Sequence, residues 1–280
     1  MLGIGILFAV LCAFAKALDT LMNKNVMQTQ SATHHSIYRI IFVSPVLLIA
    51  SLMHWNFQKE AIGYLMLYGI LEVVNILCHQ RAVKTSNPLH IEILSKSKVF
   101  FALILSFVLM IDTLSLYSTL GIIVFMVGAV LSINVQNRCD DEKTTKGGVI
   151  LEIISVLART FKPFILKMVL QKNLASTESM AFLSMIVALV IMMVVFRPKL
   201  NFRTISVPKY SMQAVIVGLG MLLGGWAIAR ANTVIVNAIE STTIIFIMVI
   251  TYFWQKKKYP ILTIVGSVIS IIGIVLALCL

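Results

Sequence analysis

Polar stretches are nearly missing from this chain. Only Asn137 to Lys146, with its Arg-Cys-Asp-Asp-Glu-Lys segment, stays polar for long, which leaves no room for a soluble domain. Charge is scarce as well: 12% of residues are charged against 59% hydrophobic, at a mean hydropathy of +0.97. That balance belongs to a polytopic membrane protein. Cys12, Cys78, Cys139 and Cys279 are too scattered for a disulfide framework or a paired-cysteine metal site. His34 and His35 are adjacent and lack ligand spacing, so no metal is expected. Enzyme signatures are lacking too: there is no Gly-x-x-x-x-Gly-Lys-Ser/Thr, no His-Glu-x-x-His and no Gly-x-Ser-x-Gly. No catalytic role and no cofactor are expected, and nucleotide hydrolysis within the chain has no support.

The formal net charge of +12 would point to nucleic acid in a soluble protein. Here the basic residues cluster in short loops between apolar runs, which is how membrane orientation is encoded. No basic face with interleaved aromatics can be assembled, so no nucleic-acid partner is expected. The N-terminus is apolar from Met1 without a basic start or a small-residue cleavage site, and it reads as a first span, not a signal peptide.

What the chain has is hydrophobic runs of about 20 residues, enough to cross roughly 30 Å of hydrocarbon as helix. Ten are expected, near 2–22, 36–55, 62–81, 88–110, 115–134, 147–168, 178–196, 210–230, 233–254 and 260–280. The second five repeat the first at an offset of 145: Phe101 falls on Phe246, Ser106 on Thr251, Gly121 on Gly266, Gly128 on Gly273, Asn87 on Asn232 and Gly3 on Gly148. Apolar matches are cheap, so the glycines and asparagines carry the weight. Five spans per repeat is an odd number, so the second repeat enters the membrane from the opposite side. The expected fold is an all-α polytopic membrane protein of ten transmembrane helices in two inverted-topology five-helix repeats, 1–136 and 147–280, joined by the loop 137–146. Loops after the odd-numbered spans hold 13 Arg and Lys against about four on the other side, which by itself puts both termini outside. Gly220 and Gly224 form a small-xxx-small pair, and Gly121 and Gly128 share a face, which suits close helix packing.

Charges inside hydrocarbon are costly and usually face a bundle interior or a water-filled cavity. Within or near the spans lie basic Lys16, Arg39, Lys96, Lys98, Arg159, Lys162 and Arg230 and acidic Asp19, Glu72, Glu92, Glu152 and Glu240. Glu72, Asn75 and His79 form one stripe on span 3; Glu152, Ser155, Arg159 and Lys162 form another on span 6. Glu92 and Lys96, at i and i+4, suit a structural ion pair, and so do Lys16 and Asp19. Lys98 points about 200° away from Lys96 and has no carboxylate a turn away, so its partner lies on another helix or on a ligand. Lys98 is the favoured ligand contact. Lys16, Arg39 and Arg230 near span ends suit either snorkelling or a ligand role. Glu72 and Glu240 lack a basic neighbour on their own helices, which suits a proton carrier or a site for a cationic group. Trp226 either floors a site or packs.

Two five-span repeats resemble the drug/metabolite transporter superfamily, particularly its EamA-type members, over essentially the whole chain. Ala82-Val-Lys-Thr-Ser-Asn87 is similar to that family's Ala-Leu-Lys-x-Thr-Ser stretch, with Ala227-Ile-Ala-Arg-Ala-Asn232 its counterpart. The glycine-spaced fifth span is matched by 120–130 and again by 265–275. The family's Gly-Glu closure of spans 4 and 9 is replaced by Met110-Ile-Asp112 and Trp254-Gln-Lys256. The resemblance implies secondary transport by alternating access around a cavity lined by both repeats, with termini more often cytoplasmic, against the loop count. Lys98 also resembles the fourth-span lysine of nucleotide-sugar and phosphate-ester exchangers.

Together these readings point to a transporter of a small anionic or zwitterionic metabolite, by exchange or proton coupling, in a bacterial inner (plasma) membrane. The expected partners are the small-molecule substrate, membrane lipid, and a coupling proton or counter-substrate. The expected site comprises Lys16, Glu72, Asn75, Lys98, Arg159, Lys162, Trp226 and Glu240. Export of cationic drugs, amines or amino acids is the first alternative; a lipid flippase subunit or non-transporting membrane component is the second.

Overall fold

The computed structural model describes residues 2–27, 31–86, 91, 94–110, 115–134, 145–198, 200–201, 205–256 and 260–279. Its secondary structure is helical apart from one isolated bridge between Phe57 and Ala175. The helices are α1 (Leu2–Met27), α2 (Ala32–Met53), α3 (Ile62–Thr85), α4 (Lys98–Leu109), α5 (Leu116–Asn134) and α6 (Lys146–Gln171). They continue with α7 (Thr177–Phe196), α8 (Val207–Arg230), α9 (Thr233–Ser241), α10 (Thr243–Gln255) and α11 (Ile261–Cys279).

Six helical segments are long and apolar enough to cross a membrane: Gly3–Asn23, Ala32–Met53, Lys59–Thr85, Thr177–Phe196, Val207–Arg230 and Thr233–Trp254. Leu116–Leu131 and Ile261–Ala277 are apolar but shorter. α6 has the length, at 26 residues, but carries Glu152, Arg159, Lys162 and Lys167. Large apolar side chains such as Ile49, Val108, Leu116, Val194, Phe253 and Ile261 remain exposed on the outer faces. An integral multi-pass membrane protein is what such a surface requires, because lipid tails cover it at no hydrophobic cost.

The expected ninth span is broken. α9 stops at Ser241 and α10 starts at Thr243, with the Thr242 hydroxyl donating to the Ile239 carbonyl at 2.6 Å. Ser97, which is 145 positions earlier, does the same before α4, donating to Leu94 O at 2.6 Å. A hydroxyl that returns to the preceding turn satisfies a freed carbonyl and competes with the helical ladder. Residues 87–90, 92 and 93, and with them the start of the expected fourth span, lie outside the described residues. So do 135–144, where the inter-repeat loop is expected.

α5 and α11 pack along their lengths and run antiparallel: Gly121 lies against Gly273 and Ala277, and Gly128 against Gly266 and Ser270. A Cβ on Gly121 would sit 2.6 Å from Gly273 O, and one on Gly128 would sit 2.6 Å from Gly266 O. Only glycine permits so close an approach. Between these contacts the Ser270 hydroxyl donates to Phe125 O, across a separation of 145 residues. Elsewhere α3 packs on α6, α1 on α8, α3 on α7 and α2 on α8, while the loops before α3 and α7 pair through Gln58 N donating to Leu174 O at 2.8 Å. These contacts place the polar faces of α1, α3, α4, α6 and α9 toward one another.

Candidate functional site

The two stripes read from spans 3 and 6 meet. The Arg159 guanidinium on α6 donates to Asn75 Oδ1 at 3.2 Å and Ser95 Oγ at 3.0 Å. It also donates to Glu152 Oε1 at 3.0 Å and Ser155 Oγ at 3.1 Å. Glu152 is fully buried, and its second oxygen lies 2.8 Å from His79 Nδ1. Five donors in a fixed fork suit such a hub, whose geometry also holds α3 and α6 in register. One turn on, Lys162 is paired with Glu72 and stands 5.1 Å from the centroid of the Tyr68 ring.

A second focus is Glu240, in the last turn of α9. Its Oε2 accepts from Lys16 Nζ at 2.6 Å and Lys98 Nζ at 3.0 Å, and its Oε1 accepts from the Cys12 thiol at 3.3 Å. Lys98 is the first residue of α4 and is buried. A helix start disfavours a cation and a helix end disfavours an anion, so both residues occupy ends unfavourable to their charge. The pair relieves both. Gly224 makes the room: a Cβ there would lie 3.0 Å from Glu240 Oε1 and 3.1 Å from Cys12 Sγ. The two foci are neighbours, since Lys16 and Lys98 lie within electrostatic reach of Arg159, and Tyr68 within reach of Glu240. The region is partly open: the side chain of Lys16 is 44% exposed and that of Arg159 25%, against 8% for Lys98.

Most of the expected residues therefore converge from α1, α3, α4, α6 and α9. Trp226 packs instead, tilted against Phe8 at 5.6 Å, with its indole N–H on Glu178 at 2.7 Å. Several expected pairings are corrected. Lys16 reaches Glu240, while Asp19 pairs with Arg39 at 2.5 Å, so Arg39 does not snorkel. Glu72 and Glu240 are not isolated carboxylates, because lysines on other helices reach both. That removes the basis for a free acidic site for cations. Arg230 covers the Phe8 ring at the surface. Glu92 lies outside the described residues, and Lys96 lines a small cavity with Phe125, Ser241, Thr242 and Ser270.

Sequence reasoning passed over Cys12, which stands one turn before Lys16 and shares its face. It also passed over the network beyond Asp19, where Gln213 donates to Asp19 at 2.9 Å and to Asn23 at 3.0 Å. His35, fully buried, completes it between Asn23 Oδ1 at 2.6 Å and the Tyr210 hydroxyl at 2.8 Å. Among the described residues no cluster of His, Cys, Asp and Glu suits a metal.

No curated protein matches the chain in sequence. By structure 28 solved chains match. One of them, described only as a crystal structure of a protein, superposes with a TM-score of 0.77 at 12% identity, over 99% of this chain and 97% of that one. Such a likeness speaks for the fold alone. A family model, the EamA-like transporter family, matches residues 3–134, which hold α1 to α5 and, among them, Lys16, Glu72, Asn75 and Lys98. Residues 3–134, just under half of the chain, are thus similar to the EamA-like transporter family, in line with the resemblance to the drug/metabolite transporter superfamily read from the motifs.

Proposed function

We propose that the protein is a secondary transporter that moves a small anionic or zwitterionic metabolite by alternating access, through exchange or proton coupling. The observation that carries this reading is the convergence of Lys16, Lys98, Arg159 and Lys162, from three helices of both halves, on a region that opens to the surface beside Lys16 and Arg159. Interior cations held by interior carboxylates form a site in which an anionic ligand can replace a protein group. The frame is ten membrane-crossing helices in two inverted repeats, 1–136 and 147–280. The antiparallel α5–α11 contact supports it, because Gly121 faces Gly273 and Gly128 faces Gly266, which is what exchange of the halves at offset 145 demands. The paired breaks at Ser97 and Thr242 support it as well, since interrupted helices at the repeat interface are where such transporters bind solute.

The test is a ligand-stabilisation screen on purified protein followed by uptake in proteoliposomes. Lys98→Ala is expected to abolish uptake of the stabilising anion while the protein still inserts and elutes as a single species. Unimpaired transport by Lys98→Ala would remove Lys98 from the site. A screen in which only amines stabilise the protein would overturn the anionic reading.

A further inference from the structure

We infer that the site is set for a ligand with one net negative charge, and that Glu240 sets that number; the inference rests on the anion-transport reading above. Among the described residues, three interior carboxylates each answer one lysine or arginine: Asp19 with Arg39, Glu72 with Lys162, and Glu152 with Arg159, Glu152 also meeting the His79 imidazole. Glu240 differs. It is one carboxylate answering two ammonium groups, and both reach the same oxygen, Oε2. With its other oxygen engaged by the Cys12 thiol, this carboxylate has nothing further to give. One positive charge is left over.

The surplus has an address. Lys98 is enclosed, whereas almost half of the Lys16 side chain is open. An ammonium has three N–H donors, and the bond to Glu240 uses one. Among the described residues, Lys16 therefore holds further donors and uncompensated charge on the more exposed side, within electrostatic reach of Arg159. A monoanionic group on Lys16 Nζ completes the balance. A neutral ligand leaves the surplus in place, and a dianion brings a second charge against Glu240, which remains on Lys98. Like charges at such range in a partly dry site repel strongly. The Lys167 ammonium is engaged elsewhere, donating to Ile228 O and Ala231 O at 2.8 and 2.9 Å at the end of α8, where a helix C-terminus favours a cation.

The experiment compares compounds matched in size and differing by one charge: succinamate with succinate, and dimethyl phosphate with methyl phosphate at pH 8. Apparent Kd is read from thermal stabilisation of the full chain at matched ionic strength. The wild type is expected to bind the monoanion of each pair roughly tenfold tighter, the ratio that about one uncompensated charge sustains. Glu240→Gln leaves two surplus charges, and the order is expected to invert toward succinate and methyl phosphate. Lys16→Gln leaves none, and both members of each pair are expected to weaken at least about tenfold. Should Glu240→Gln fail to fold, Lys16→Gln decides alone. Equal affinity for both members in the wild type, or undiminished monoanion binding by Lys16→Gln, overturns the inference and leaves the anion-transport reading standing. If none of the four anions stabilises the wild type, that reading falls and the inference falls with it.

Discussion

Replacing Glu152 by leucine strands the Arg159 guanidinium, and replacing Arg159 by leucine strands the Glu152 carboxylate, but the two losses are unequal. Removing one partner of a buried ion pair costs about 3–5 kcal/mol, because the survivor stays desolvated and uncompensated. Arg159 without Glu152 keeps acceptors on Asn75, Ser95 and Ser155, and a quarter of its side chain meets water. Its loss belongs at about 3 kcal/mol. Glu152 without Arg159 is fully buried, with His79 as its remaining partner, so that loss belongs nearer about 5 kcal/mol. The double variant removes both charges and strands only neutral groups, at about 2–3 kcal/mol. A coupling energy of about 5 kcal/mol follows, from residues in direct contact. For a chain of this size about 1 kcal/mol moves the unfolding midpoint by roughly 2–4 °C. Glu152→Leu should then lower the midpoint by about 6–12 °C, and Arg159→Leu by visibly more. The measurement is tryptophan fluorescence during heating in one detergent at one scan rate, since membrane-protein unfolding is commonly irreversible. A double variant whose shift equals the sum of the singles refutes the ion-pair account of this seam.

Two further outcomes follow from contacts. Gly128→Leu drives a side chain into the Gly266 carbonyl and the Ser270 backbone, so α5 and α11 must separate; a loss above about 3 kcal/mol or failed assembly is expected. Gly147→Leu, at a position with nothing within 4 Å, should move the midpoint by no more than about 0.5 kcal/mol equivalent, and a comparable loss there would discredit the packing argument. Trp226→Phe deletes the 2.7 Å bond to the buried Glu178 and should cost about 1–3 kcal/mol. In a Glu178→Leu background the same substitution should cost about 1 kcal/mol or less, which a double-mutant cycle would check.

The chain shows its helices and its polar faces plainly, but not its partnerships. Spacing at i, i+3 and i+7 identified the stripes of α3 and α6, because helical periodicity alone decides which residues share a face. It also identified Lys98 as needing a carboxylate from elsewhere. Which helix supplies that carboxylate is a tertiary fact. Lys16 meets Glu240 across 224 residues, and Asp19, one turn from Lys16, is taken by Arg39 instead. Local ion-pair rules fail there because α1 turns Lys16 and Asp19 toward different neighbours. The break at Thr242 escaped for another reason: no glycine or proline marks it, and hydroxyls interrupt helices only weakly. The signal was present in the offset, since Ser97 and Thr242 are equivalent positions.

That offset also locates where the halves part company. On α3 and α6 the seam is built from Asn75, His79, Glu152, Ser155 and Arg159; the equivalent positions on α8 and α1 are Gly220, Gly224, Leu7, Val10 and Phe14. One seam is fastened by charge and the other by close approach. The glycines have a further effect, for Gly224 leaves the space beside Glu240 Oε1 and Cys12, while the position equivalent to Glu240 is Ser95, which holds Arg159. Under the alternating-access reading, exchange of the two halves carries the backbone frame onto itself and leaves the charges behind. On that reading the inward and outward states would share a scaffold but differ in electrostatic energy. A ligand shifts the equilibrium between them only by binding one state better than the other. Under that reading, a monoanion held by Lys16 beside the Glu240–Lys98 pair would supply such a difference.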